Sequence, residues 1–229
     1  MDQFIKKHYP EARQGDEFTK EWIDRLVDRH KFDLTTTLMA TSVCSDEIIR
    51  SATNFREYLS YSNPFSLGGL AGIPFSGLTG FKAFASHIPD NGSAIILYGP
   101  HIGVSENGTV GIVERVGQSR PSSCCGALKA SVDGLSDKNA SSADTDLDYQ
   151  MSVIEQEVKA SREKVVAHDV PLVAATDSMY GFINDRIHKL MDGAKESFEN
   201  YRVALIGGVI INTDPEYTDW FELRNFEVL

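Results

Sequence analysis

Residues 203–212 read VALIGGVIIN and residues 93–98 read SAIILY. Both are short, continuous apolar runs closed by turn residues. Strands of that kind are buried on both faces, as in a parallel sheet covered by helices. Working outward, Leu34 to Val43 (LTTTLMATSV) is rich in β-branched residues and reads as a third strand. Leu172 to Ala175 is a shorter strand candidate, and Trp220 to Val228 a last, edge strand. Between them lie helical patterns. Phe18, Trp22, Leu26 and His30 fall four apart within Asp16–His30. Ile48, Ile49, Ala52, Phe55 and Leu59 follow Ser45, a good N-cap residue, with Asp46 and Glu47 suited to a helix N-terminus. A short helix carries Phe81 and Phe84, another begins within Ser122–Leu128, and Leu147, Met151, Ile154, Val158 and Val165 form one stripe of a long helix. Tyr180 to Met191 is helical, and Asn107-Gly108 marks a hairpin. The alternation predicts an α/β fold, a mixed, mostly parallel central sheet flanked by helices. One domain spans 1–229, with 1–33 as an N-terminal helical arm.

Composition narrows the function classes. Hydrophobic residues make up 41% and charged residues 24% of 229, a globular balance that excludes disorder as the dominant state. Lys+Arg number 22 against 33 Asp+Glu, a net charge of -11 with no basic face, so nucleic acid is not an expected partner. No apolar run approaches the ~18 residues that span a bilayer, so no membrane is expected either. Met1-Asp2-Gln3-Phe4 does not open a signal peptide, and three cysteines do not make a secreted disulfide framework. A cytoplasmic setting follows, in which the thiols serve packing, metal binding or reactivity. Residues 133–146, rich in Asp, Ser and Ala, read as a solvated loop without the spacing of a calcium site.

Chemistry concentrates in Cys44, His101 and the Cys124-Cys125 pair, which follow apolar strands or open helices. In open α/β sheets ligands bind beyond the carboxyl ends of the strands. Three N/S ligands with one free position describe a catalytic zinc site, although these spacings match no short metal motif. Residues 61–80 (YSNPFSLGGLAGIPFSGLTG) hold five glycines between Gly68 and Gly80 but lack phosphate-loop spacing. They read as backbone passing close to the site, with Phe65, Phe75, Phe81 and Phe84 as apolar walls. Taken alone, Cys44 reads more readily as a small buried hydrophobe than as a ligand.

The stretches Cys44-Ser45-Asp46-Glu47-Ile48-Ile49-Arg50, FSLGGLAGIPFSGLTGF, HIPDNG, YGPHIGV, CCGA and the closing ALIGGVIINT with DWF resemble the limiting-CO2-inducible protein B/C family, also called theta-type carbonic anhydrases. The resemblance runs over roughly 34–229. It implies a fold similar to β-carbonic anhydrases, assembled as a homodimer, with Zn2+ as cofactor and CO2/bicarbonate as substrate. It implies Cys44, His101 and Cys125 as the zinc ligands, with Asp46 and Arg50 as a catalytic Asp–Arg pair. Arg50 follows Asp46 by four residues, where ordinary β-carbonic anhydrases place the Arg two residues after the Asp. Zinc held this way lowers the pKa of bound water and makes hydroxide for attack on CO2. Asp46 then either orients that hydroxide or closes onto zinc, and Arg50 holds it ionised. His87 matches a family histidine and reads as a structural hydrogen-bonding residue or a proton-transfer group. Cys124 has no family role and reads as buried beside the site. Algal relatives are plastid proteins, so the setting becomes the chloroplast stroma where a transit peptide has been removed. Two rival readings stand beside the enzyme. One is a catalytically silent, CO2- or bicarbonate-responsive assembly protein of a carbon-concentrating system. The other is a thiol or nucleotide enzyme on a generic α/β sheet.

Overall fold

The chain begins with a short helix, α1 (Asp2–His8), and a two-residue strand, β1 (Arg13–Gln14), that leads into α2 (Gly15–His30). The computed structural model describes residues 1–49, 54–60, 63–136 and 146–229. Phe18, Trp22, Ile23 and Leu26 of α2 are buried, as their spacing predicts, and Lys31 ends the helix in the left-handed conformation. There follow β2 (Thr37–Ser42), β3 (Phe65–Ser66), α3 (Gly77–Ser86), β4 (Ser93–Tyr98), β5 (His101–Gly103), β6 (Ile112–Val113) and β7 (Ser122–Ser123). The chain closes with α4 (Gly126–Gly134), α5 (Tyr149–Ala160), α6 (Arg162–Ala167), α7 (Pro171–Gly193), α8 (Lys195–Phe198), β8 (Arg202–Asn212) and β9 (Trp220–Val228).

Among the described residues, one seven-stranded sheet runs in the order β1-β9-β8-β4-β2-β3, with β5 also on β8. β3, β2, β4, β5 and β8 make parallel pairs, while β9 and β1 join antiparallel. This is the mixed, mostly parallel sheet the sequence predicts. Side chains alternate between its faces. Ala94, Ile96 and Tyr98 enter the core beneath α3, α4, α5 and α7, whereas Ile95 and Leu97 meet Phe18, Trp22 and Leu26 of α2.

β5 is the continuation of β4 after a two-residue break. Tyr98 pairs with Gly207 and His101 with Ile210, so the register is the same on both sides of Gly99-Pro100. Gly99 has φ +149, and a Cβ there would lie 1.7 Å from the Gly208 carbonyl oxygen. The kink therefore requires glycine, and it delivers His101 to the end of the sheet. Gly207 meets a different constraint. The Tyr98 ring fills the space of its missing side chain, and the Tyr98 hydroxyl donates to Asn184 Oδ1 at 2.8 Å and accepts from Asn225 Nδ2 at 2.9 Å.

Several sequence expectations are corrected. Leu172–Ala175 is not a strand but the opening of α7, with Pro171 at the first helical turn. All four residues are buried, and a short apolar run carries no period that separates strand from buried helix. The stripe from Met151 to Val165 is two helices, α5 and α6, parted at Ser161, whose hydroxyl donates to the Glu157 carbonyl at 3.0 Å, while Leu147 precedes α5 and is exposed. No helix begins at Asp46 in the described residues. Its carboxylate accepts from the Ile48 amide at 3.2 Å and makes a side-chain turn, and a 3-10 helix follows at Phe55–Tyr58. Arg50, Ala52 and most of the expected 133–146 loop lie outside the described residues. The Asn107-Gly108 turn forms as predicted, bracketed by a Val104–Val110 antiparallel bridge. Among the described residues, no helix is long and apolar enough to cross a membrane.

Two glycine substitutions check this packing. Gly207→Ala places a methyl group 2.4 Å from the Tyr98 ring and is expected to cost about 1–3 kcal/mol. Gly181→Ala, mid-way along α7 with nothing within 4 Å, is expected to add about 0.5–1 kcal/mol. Urea unfolding of the two variants against the parent reads both; equal shifts of the same sign would refute the packing argument.

Candidate metal centre

The carboxyl ends of the parallel strands converge on one cluster. β2 ends at Ser42, whose hydroxyl donates to the Gly72 carbonyl at 2.9 Å and whose carbonyl accepts from the Gly99 amide at 3.1 Å. Cys44 lies two residues further on. Gly68 passes so close that a Cβ there would meet the Val43 carbonyl oxygen at 2.4 Å, the close approach expected of the glycine block. His101 opens β5, and Cys125 caps α4. Cys44, His101 and Cys125 are all buried, at 7%, 1% and 2% exposure. One ligand atom from each lies within 4.8 Å of the others, and the Cys44 and Cys125 sulfurs are 3.9 Å apart. The three residues that the family resemblance nominates are thus brought together from three separate segments.

The imidazole is held from one side only. His101 Nδ1 is 2.8 Å from Asn212 Oδ1, at the end of β8. Its Nε2 is buried and has no hydrogen-bond partner. A buried, unpartnered ring nitrogen beside two sulfurs suits a metal ion with N/S ligands. The acidities point the same way. A hydrogen bond shared with Cys125 holds the Cys44 thiol down to about 4, against the opposing effect of burial, with His101 assisting. Cys125, which keeps the shared proton and is itself buried, is pushed up. A divalent cation would take the place of that proton.

Asp46 sits over the cluster, bound by a guanidinium. Arg115 Nη1 and Nη2 reach Asp46 Oδ1 and Oδ2 at 2.7 and 2.9 Å, a two-pronged ion pair. Arg115 also donates from Nε to Ser122 Oγ at 2.7 Å and from Nη2 to the Ser123 carbonyl at 3.1 Å, and it pairs with Glu47. Burial pushes the Asp46 carboxyl up, but the Arg115 hydrogen bonds and the Ile48 amide outweigh it and hold the group at about 2. The pair is mostly buried, with side chains 11% and 14% exposed, where a charged pair is screened little.

Sequence reasoning missed Arg115. The Asn107-Gly108 turn announced a hairpin, but nothing in the sequence said that the segment between β6 and β7 folds back over the Asp46 turn. Arg50, the expected partner of Asp46, lies outside the described residues. His87 caps α3 with its ring 5.6 Å from that of Phe65, outside the thiol–imidazole cluster. Phe81 and Phe84 are the buried core residues of α3 itself. Cys124 is buried, its sulfur 3.5 Å from His101 Nδ1, and forms a second, overlapping group with Asp46 and His101.

The family model for limiting CO2-inducible proteins B/C beta carbonic anhydrases matches residues 14–229. Among solved structures, PtLCIB4, a homolog of the limiting CO2-inducible protein LCIB, is 32% identical, with a TM-score of 0.90 over 100% of this chain and 95% of that one. LCIB itself is 20% identical, with a TM-score of 0.70 over 97% of this chain and 92% of that one, a likeness of fold. No curated protein sequence gives a significant match. The family model covers the sheet, the thiol–imidazole cluster and the Arg115 segment alike, and the chain belongs to the limiting CO2-inducible protein B/C family of carbonic-anhydrase-like proteins.

Proposed function

We propose that the protein is a zinc-dependent carbonic anhydrase that reversibly hydrates CO2 to bicarbonate, with Cys44, His101 and Cys125 as metal ligands. The observation that carries this is the buried, unpartnered Nε2 of His101 beside the Cys44 and Cys125 sulfurs. Three protein ligands leave a fourth position for water, the arrangement of catalytic zinc sites. When bound, zinc acidifies that water and so supplies the nucleophile for CO2.

The chain's own residues do the rest. Asp46, ionised throughout the neutral range, is a standing hydrogen-bond acceptor at the mouth of the cluster. Arg115 occupies both carboxylate oxygens and so keeps Asp46 from swinging freely toward the ligands. In this reading Arg115 takes the part that the family resemblance gives to Arg50. A surface cavity of about 320 Å³, lined by Glu47, Arg115, Val116, Asp214 and Tyr217 among others, adjoins the Arg115 side of the pair. Three free thiols suit a reducing compartment, cytoplasmic or stromal. We read the assembly as a homodimer, to be checked by light scattering at micromolar concentration, where a monomer mass would refute it.

Metal analysis and stopped-flow CO2 hydration on the same preparation test the proposal. About one zinc per chain and measurable turnover are expected. Cys44→Ser, His101→Ala and Cys125→Ser each lose most of the metal, while Cys124→Ser keeps it. A zinc-loaded protein without turnover would favour the catalytically silent reading instead.

Arg115→Ala retains zinc but slows CO2 hydration by about 10- to 100-fold, the usual effect of losing a residue that orients a metal site. Unchanged turnover in that variant would remove Arg115 from the mechanism.

Turnover rises toward alkaline pH. The controlling deprotonation is that of water, and the two thiolates add negative charge that opposes it. The apparent kinetic pKa is therefore expected above the value of about 7 known for zinc held by neutral imidazoles. Asp46, near 2, is ionised across any assay range and does not shape this limb. Initial rates against pH at constant ionic strength read it; a profile flat from pH 6.5 upward would refute the charge argument.

A further inference from the structure

Asn212 lies at the end of β8, fully buried, and each of its side-chain atoms has a partner. Its Nδ2 donates to Asp219 Oδ2 at 2.9 Å and to the Ile48 carbonyl at 3.3 Å. Both partners only accept, so the amide nitrogen must face them. The amide oxygen is thereby turned toward the ring of His101, 2.8 Å from Nδ1. An oxygen facing a ring nitrogen at that distance needs a proton on that nitrogen. Nδ1 then carries the hydrogen, so in the neutral ring that a metal ion requires Nε2 is the bare nitrogen, and Nε2 is the atom with no hydrogen-bond partner in the protein.

Asp219 is held just as firmly. It is 5% exposed, and its Oδ1 accepts from the Thr213 amide at 2.9 Å. Its own carbonyl accepts from the Gly15 amide at 2.8 Å, tying the loop after β8 to the start of α2. The Cys124 thiol lies 3.7 Å from Asn212 Oδ1 and takes the oxygen's second lone pair. The Ile48 bond extends the arrangement to Asp46, whose Oδ1 accepts from the Ile48 amide. One amide thus faces the metal-binding imidazole on one side and the Asp46 turn on the other.

We infer that Asn212, oriented by Asp219, is the positioning residue that fixes the His101 tautomer, leaving Nε2 as the metal-binding nitrogen and holding the Asp46 turn in register with it. This rests on the metal reading above. A ligand histidine whose second nitrogen donates to a fixed acceptor is a stronger and better-aimed ligand. Here the acceptor is a neutral amide locked by a carboxylate one step further out, so the negative charge is kept away from a site that would hold two thiolates once a metal ion displaces the shared proton.

The test measures zinc binding by chelator competition, and the visible spectrum after Co2+ substitution, in the parent, Asn212→Ala and Asp219→Asn. The parent binds zinc, and both variants raise its dissociation constant by about 10- to 100-fold and alter the cobalt spectrum. Asp219→Asn is the informative change: it replaces one acceptor oxygen by a donor, so either the Thr213 amide or Asn212 Nδ2 faces another donor. Folded variants that keep the parental affinity and cobalt spectrum would overturn the inference. Imidazole 15N NMR of the parent, with His101→Gln to assign the signal, decides it even where a variant fails to fold. A protonated Nδ1 supports the clamp and a bare Nδ1 overturns it. A parent that binds no zinc sinks the metal reading, while the same NMR measurement on metal-free protein at alkaline pH still decides the tautomer.

Discussion

The parallel register of β8 is the constraint from which the site follows. The strand pairs with β4 over its first half and with β5 over its last three residues, and β9 runs along its other side. Because β4 and β5 share one register across Gly99-Pro100, His101 is placed opposite Ile210, two residues short of Asn212. A slip of one residue would send alternate side chains to the opposite face and separate His101 from Asn212. The backbone packing that prevents such a slip is severe: the Tyr98 ring against Gly207, and the Gly208 carbonyl against Gly99. The two glycines in the middle of the longest apolar strand are therefore what hold His101 in place.

Around that register the polar groups form two linked sets. The inner set is two thiols and a ring nitrogen, buried together, with one thiol acidic because its neighbour shares a proton with it. The outer set is the Asp46–Arg115 pair, mostly buried and joined at both oxygens. Asn212 connects them through the His101 ring and the Ile48 carbonyl. Buried charge is costly unless it is paired. Each charged group here has a partner: Asp46 has Arg115, and the thiolate has the Cys125 thiol. Within these two sets His101 Nε2 is the buried polar atom without a hydrogen-bond partner, and beside two sulfurs it makes a donor set that fits a cation with N/S ligands.

The fold was largely readable from the chain. Continuous apolar runs at 93–98 and 203–212 predicted buried parallel strands, and both form as such. The four-residue spacing in α2 predicted the face that covers the sheet. The misread segments were those where local pattern carries no period. Leu172–Ala175 is apolar on every side because α7 is buried there, and it looked like a strand. The Asp46 segment had a helix start signal, but its carboxylate bonds the Ile48 amide and makes a turn instead.

The sequence by itself determined the residue types that can hold a metal, their placement after strand ends and, through its motifs, the family. It could not determine Arg115, Asn212 or Asp219 as parts of the site. Arg115 stands 69 residues from Asp46, on a segment whose fold-back depends on where β6 and β7 pack. Asn212 and Asp219 look like ordinary polar residues at a strand end and in a loop. Their roles exist only once β8 is in register with β5 and the Ile48 carbonyl is brought beside them. Ligand identity is a matter of side-chain chemistry, which a sequence carries. Which nitrogen is bare, and which guanidinium meets which carboxylate, are matters of distance, and those are set by the tertiary structure alone.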